Sequence, residues 1–258
     1  MNEENLIKYY NKFNEDKRLL RRHGIVEFTV TLKYILKYLE NKNNAKILDV
    51  GSGTGKYAIK LNELGYDVTA VELVKHNLMT LKKKYPFIKA YQANAINLER
   101  FKDNSYDMVL LFGPLYHLIT KEEKLKAIME AKRVVKDGGI VMISYYMNDY
   151  AILTYGFKQN HIFESKNNND IDNNYHITPK KTDLYSYARL EDINELKDLS
   201  NLKRIKIISQ DGPTDYIRQV INKMDDKTFD EYIKYILSIC ERSELIGASS
   251  HVLDILKK

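Results

Sequence analysis

The chain has 258 residues, 44% hydrophobic and 29% charged, with a formal net charge of +6. That is enough to bury one α/β core with additions, and no apolar stretch is long enough to span a bilayer. A lone cysteine, Cys240, excludes an internal disulfide and a multi-cysteine metal site. The charged N-terminus lacks the apolar core of a secretory signal, so a cytoplasmic protein without membrane contact is expected. The basic residues are dispersed, with Lys17-Arg18, Arg21-Arg22 and Lys82-Lys83-Lys84 the densest runs. No RNA-binding motif accompanies them, which speaks for a solvated surface over nucleic acid.

Residues 3–22 place Leu6, Tyr9, Tyr10 and Phe13 on one helical face. A second helix is expected from Val26 to Leu39. A βα alternation follows: strand Lys46–Val50, helix Tyr57–Leu64 ended by Gly65, strand Asp67–Val71, helix Lys75–Lys84 stopped before Pro86, and strand Phe87–Tyr91. Tyr106–Phe112 is the fourth strand and Lys121–Val135 an amphipathic helix. Asp137-Gly138-Gly139 reads as that helix's stop, and Ile140–Tyr145 as the fifth strand. Residues 146–187, with KNNNDIDNN at 166–174, show no packing pattern and read as a mobile loop placed to act as a substrate lid or a surface excursion. Then come helix 191–199, strand Lys203–Ser209, helices 214–223 and 227–241, and a final strand Ser249–Leu256. The expected fold is α/β: one doubly wound, mostly parallel, seven-stranded sheet over residues 1–258. Its parts are an N-terminal helical cap (1–40), a core (45–145), an inserted lid (146–187) and a C-terminal part (188–258).

The chemistry is signalled by KILDVGSGTGKYAIK at 46–60, a strand running into glycines and then a helix. A phosphate-binding G-x-x-x-x-G-K-[S/T] loop is not present, because positions 50 and 57 are Val50 and Tyr57. A dinucleotide G-x-G-x-x-G finds Gly51 and Gly53, but Lys56 stands where its third small residue belongs. What remains is Asp49-Val50-Gly51-Ser52-Gly53-Thr54-Gly55, with Glu72 closing the next strand. A bare tight turn is the blander alternative.

That pattern resembles the class I S-adenosylmethionine-dependent methyltransferases, and the resemblance covers about residues 45–145. YQANAINL (91–98), SYDMVLLFGPLYHL (105–118) and VVKDGGIVMIS (134–144) continue it. The fold it implies is the Rossmann-like methyltransferase sheet, and the cofactor S-adenosyl-L-methionine, leaving S-adenosyl-L-homocysteine. The binding residues it implies are Asp49, Gly51, Ser52, Gly53, Gly55, Glu72, Leu73, Asn94, Ala95, Phe112 and Gly113, with Tyr10 from a covering helix. Gly51 and Gly53 let backbone touch ligand, and Glu72 can accept from ribose hydroxyls. Asn94 stands where the family has an acid beside adenine, and would accept through its amide oxygen.

The resemblance implies in-line methyl transfer to a small-molecule acceptor. RNA or protein methylation, or a non-catalytic cofactor-binding module, are the alternatives. His117 is the candidate base, with a histidine merely packed at a helix start as its alternative, and Tyr116 can line the pocket. Arg18 is a candidate for the cofactor carboxylate, with a solvated arginine as its alternative. His161 and His176 can face substrate from the insertion; no metal-ligand spacing is present. His251 reads as structural and Cys240 as a small buried side chain.

Overall fold

The computed structural model describes residues 3–12 and 21–258. Phe13, Arg18 and the 13–20 portion of the first expected helix lie outside the described residues.

The elements in chain order are α1 (Glu3–Lys12), α2 (Arg22–Leu39), β1 (Lys46–Val50), α3 (Lys56–Glu63), β2 (Asp67–Glu72), α4 (Lys75–Lys84), β3 (Lys89–Gln92) and β4 (Tyr106–Leu111). They continue with α5 (Pro114–His117), α6 (Lys121–Val134), β5 (Val135–Tyr146), α7 (Asn148–Ala151) and a π-helical stretch (Ile152–Lys158). The last are α8 (Ile162–Asn167), α9 (Leu190–Ser200), β6 (Lys203–Ser209), α10 (Arg218–Ile221), α11 (Asp226–Ile239), α12 (Ser243–Ile246) and β7 (His251–Lys257).

The seven strands form one sheet in the order β3-β2-β1-β4-β5-β7-β6. The first five strands are mutually parallel, and β7 runs antiparallel to both β5 and β6. Central strands are buried on both faces, so they read as continuous apolar runs. Ile47, Met108 and Leu110 point into one core with α2, α3, α4 and α11. Leu48, Val109 and Leu111 point into the other, with α5, α6 and α9. Helix α6 is fixed at its start by a capping box between Thr120 and Glu123.

The structure corrects two sequence expectations. Helix α6 ends at Val134 and β5 begins at once, so Asp137-Gly138-Gly139 lies inside a strand. The strand pairing shifts register between Tyr106 and Met108, and a Cβ at Gly139 would stand 2.7 Å from Val135 Cγ2 and 3.0 Å from the Asp107 carbonyl. The glycines therefore serve a bulge. The tract 146–187 is not patternless: α7, the π-helical stretch and α8 pack on a satellite core of Ile152, Ile162 and Ile171, with Ile177 against it. Buried Asn148 pins the excursion, accepting from Ile177 N–H (2.8 Å) and donating to the Tyr175 carbonyl (3.0 Å). The isoleucines are spaced too irregularly to register as a helical or strand period.

Candidate active site

A cavity of about 670 Å³ opens at the carboxyl ends of β1, β2 and β4, the edge where open α/β sheets bind ligands. One end is the β1–α3 turn. Gly51 and Gly53 take positive φ there, +78° and +56°. A Cβ on Gly51 would strike Pro114 Cδ at 2.6 Å, so that glycine lets α5 close on the turn. A Cβ on Gly53 would meet no protein atom within 4 Å; its open side belongs to the cavity.

Glu72, buried at the end of β2, holds this turn from below. Its two carboxylate oxygens accept from Gly53 N–H and Val74 N–H, each at 2.7 Å. The acid thus fixes the turn while standing on the cavity wall. Asp49 is buried beside it. Burial, reinforced by the Glu72 charge, pushes the Asp49 carboxyl up to about 7. Asp49 Oδ2 and Ser52 Oγ are buried with no hydrogen-bond partner among the described residues. Orphaned buried oxygens of this kind are uncommon and ask for a ligand.

Asp49, Gly51, Ser52, Gly53, Glu72, Leu73, Asn94, Ala95, Phe112 and Gly113 all stand on the cavity wall, as do Tyr10, Tyr116 and His117. Gly55 does not: a Cβ there would collide with Leu81 Cδ1, so it serves helix packing. Asn94 Oδ1 accepts from Ile96 N–H at 3.2 Å, so the oxygen expected at an adenine is shared with a local turn.

The two catalytic candidates are tied down. His117 Nδ1 donates to the Leu184 carbonyl at 2.9 Å, which fixes the tautomer, and its Nε2 accepts from the Tyr10 hydroxyl at 2.9 Å. Burial lowers its pKa to about 4, so the ring is neutral at physiological pH. The Tyr116 hydroxyl donates to the Phe112 carbonyl. His161 and His176 are not on the wall; they pair with Glu164 (2.9 Å) and Asp192 (3.0 Å). Cys240 is buried against the Tyr34 hydroxyl.

The opposite end is one that the sequence did not signal. Tyr146, Tyr185 and Tyr187 join Tyr116 there, with Asp215, Arg218 and His251. The insertion supplies Tyr185 and Tyr187, and Ser186 locks the segment down: its N–H donates to the Tyr116 carbonyl (2.7 Å) and its hydroxyl to the Leu118 carbonyl (2.9 Å). His251 opens β7. Because β7 is antiparallel to β5, its first residue pairs with Tyr146 at the ligand edge, and the two rings stack at 4.7 Å and 4°.

Residues 48–143 match the family described as a methyltransferase domain. A glycine/sarcosine N-methyltransferase of Aphanothece halophytica is 26% identical over 136 residues, 51% of this chain and 51% of that protein. A probable tRNA methyltransferase 9B of Bos taurus is 33% identical over 110 residues, 40% of this chain and 22% of that protein. The chain thus spans about half the length of the first relative and less of the second. A solved Thermotoga maritima structure, described as a SAM-dependent methyltransferase and possible histamine N-methyltransferase, matches with a TM-score of 0.57 at 16% identity over 97% of each chain. That likeness is one of fold. Among the described residues no helix is long and apolar enough to cross a membrane.

Proposed function

Because residues 48–143 belong to the class I S-adenosylmethionine-dependent methyltransferases, we propose that this protein moves a methyl group from S-adenosylmethionine to a small-molecule acceptor. The observation that carries the reading is the unpartnered Asp49 Oδ2 beside the open turn at Gly53, with Glu72 beneath. These residues fit the donor. On this reading Asp49 would take its ammonium, Glu72 its ribose hydroxyls, and the Gly53 backbone would allow close approach.

The sulfonium, when bound, brings a methyl group already activated for displacement. What the chain must add is orientation, worth up to roughly 7–11 kcal/mol in well-placed systems. The bond from Tyr10 to His117 fastens α1 to α5 across the cavity, and the Leu184 carbonyl fastens the insertion to the same ring. With both nitrogens engaged, His117 is suited to positioning Tyr10 rather than to taking a proton. The tyrosine walls at the far end favour a small acceptor over a polymer strand.

The RNA alternative draws on the net charge of +6 and on the tRNA methyltransferase relative. Steep salt dependence of RNA binding would favour it. The main reading is tested by calorimetry with S-adenosylmethionine and S-adenosylhomocysteine: both should bind, and no heat with either at about millimolar ligand would overturn it.

A further inference from the structure

The far end of the cavity holds two opposite charges that the donor site does not use. Asp215, in the loop between β6 and α10, and Arg218, which opens α10, both stand on the wall. They lie three residues apart, which limits their Cα separation to about 10 Å. Among the described residues the two form no ion pair, and a neutral hydroxyl stands beside each instead. The Arg218 guanidinium donates to the Tyr150 hydroxyl at 3.0 Å, and Asp215 Oδ2 lies 3.3 Å from the Ser250 hydroxyl. The single proton of that hydroxyl goes to Asp211 Oδ2, so Asp215 keeps its acceptor capacity for a ligand. Burial raises the Tyr150 pKa, with Asp215 adding to the rise and Arg218 opposing it, so both charges bear on one phenol.

The neighbouring charges are committed elsewhere. Buried Asp211 ties its loop to the start of β7: its Oδ2 accepts from His251 Nδ1 at 2.7 Å, and its Oδ1 accepts from the N–H groups of Ser250 and His251, each at 3.1 Å. Glu27 faces His251 from α2, and Lys56 lies over the Phe28 ring at 4.4 Å. Arg21, just before α2, is the rival cation on the wall. The surface beside Asp215 and Arg218 is aromatic. The Tyr146 ring lies 5.6 Å from Tyr150, 6.1 Å from Tyr116, 5.9 Å from Tyr185 and 5.0 Å from Tyr187. Aromatic faces so grouped attract a small cation. Arg218 is exposed and Asp215 half-buried, so the guanidinium stands toward the open side and the carboxylate further in.

We propose that the far end of the cavity recognises a small zwitterionic acceptor, with a cationic nitrogen met by Asp215 and the tyrosine faces and a carboxylate met by Arg218. The inference names the acceptor class for the methyltransferase reading above and rests on it. A plain cation would be repelled by Arg218 and a plain anion by Asp215, whereas a molecule carrying both charges satisfies both groups. The two residues are three apart, so the ligand's charges must also be close, a few bonds from one another. Arg218 suits the carboxylate because its planar fork can donate two parallel hydrogen bonds. A divalent cation is the competing occupant of Asp215, since Asp211, Asp215 and His251 offer ligand atoms within 4.8 Å of one another.

The test is calorimetry on the full chain, free and saturated with S-adenosylhomocysteine, so that a failed donor site is seen separately. Four probes share one shape and differ in charge: trimethylglycine carries both charges, choline only the cation, 3,3-dimethylbutyrate only the anion, and 3,3-dimethylbutanol neither. Trimethylglycine should bind about tenfold or more tightly than each of the others. Asp215→Asn should weaken trimethylglycine and choline about tenfold and leave dimethylbutyrate unchanged. Arg218→Gln should weaken trimethylglycine and dimethylbutyrate about tenfold and leave choline unchanged. Both variants should keep S-adenosylhomocysteine affinity, and Arg21→Gln should leave the order of the four probes as it is. No preference for the doubly charged probe, an equal loss for all four in either variant, or loss of carboxylate binding in Arg21→Gln but not in Arg218→Gln would overturn the proposal. So would zinc that binds at Asp215 and displaces trimethylglycine. Absence of S-adenosylhomocysteine binding would strike the donor reading, and the probe order in the free chain would still decide this one.

Discussion

The two ends of the cavity are built by different means. The donor end comes from one continuous turn, Asp49 to Gly53, and one residue of the neighbouring strand, Glu72. The far end gathers Tyr116, Tyr146, Tyr185, Asp215 and His251 from α5, β5, the insertion, a loop and β7. The first is held by backbone conformation and hydrogen bonds over short sequence distances. The second is held by tertiary packing, such as the stacking of His251 on Tyr146 and the lock of Ser186 on α5. A site of the first kind is sensitive to the backbone itself. One of the second kind can change its side chains while the sheet stays intact, which suits a region that selects the acceptor.

Substitutions can break this contrast. The largest effect is expected of Gly53→Val. Its φ of +56° strains a β-branched residue by roughly 1–2 kcal/mol, yet its Cβ meets no protein atom. The variant should fold, with a modestly lowered Tm, and show no calorimetric binding of S-adenosylhomocysteine. Normal binding would mean that the open side of the turn does not face ligand. Glu72→Ala is next. It removes an acceptor for ligand and leaves Gly53 N–H and Val74 N–H unpaired, so affinity should fall by roughly 1–3 kcal/mol. An unchanged Kd would place the ribose elsewhere.

The third prediction concerns pH. Asp49 loses its proton only near 7, well above the ordinary carboxylate range. An ammonium requires the ionised form, so donor affinity should weaken as pH falls below about 7, by at most tenfold per unit. Binding at about pH 6 should release protons, seen as a dependence of the calorimetric heat on buffer. Asp49→Asn should flatten the profile; an identical slope in the variant would assign the titration to another group. The smallest effect is that of Tyr10→Phe, which removes one hydrogen bond to His117. Thermal unfolding should register about 1 kcal/mol, with S-adenosylhomocysteine affinity nearly intact. A large loss of affinity would tie α1 to the donor end more closely than the contrast allows.

The same contrast explains what could be read from the sequence. The parallel strands of the core and the glycine turn were legible because their causes are local: buried parallel strands are apolar throughout, and a positive φ asks for glycine. Gly55 has a second cause that the sequence did not announce, the close approach of Leu81, a neighbour that only the folded chain supplies. His251 and Asp211 stand 40 residues apart, and nothing in that spacing announces a pair. Their meeting depends on β7 turning antiparallel between β5 and β6. The isoleucines beneath the insertion were hidden for a related reason, since a satellite core of three residues leaves no period to detect.

The most direct measurement is a crystal structure of the chain with S-adenosylhomocysteine. The account predicts the ribose hydroxyls within hydrogen-bond distance of Glu72, the amino group at Asp49, and the thioether sulfur turned toward Tyr116 and Tyr146. A ligand absent from the Gly51–Gly53 turn, or a phosphate held there instead, would contradict it.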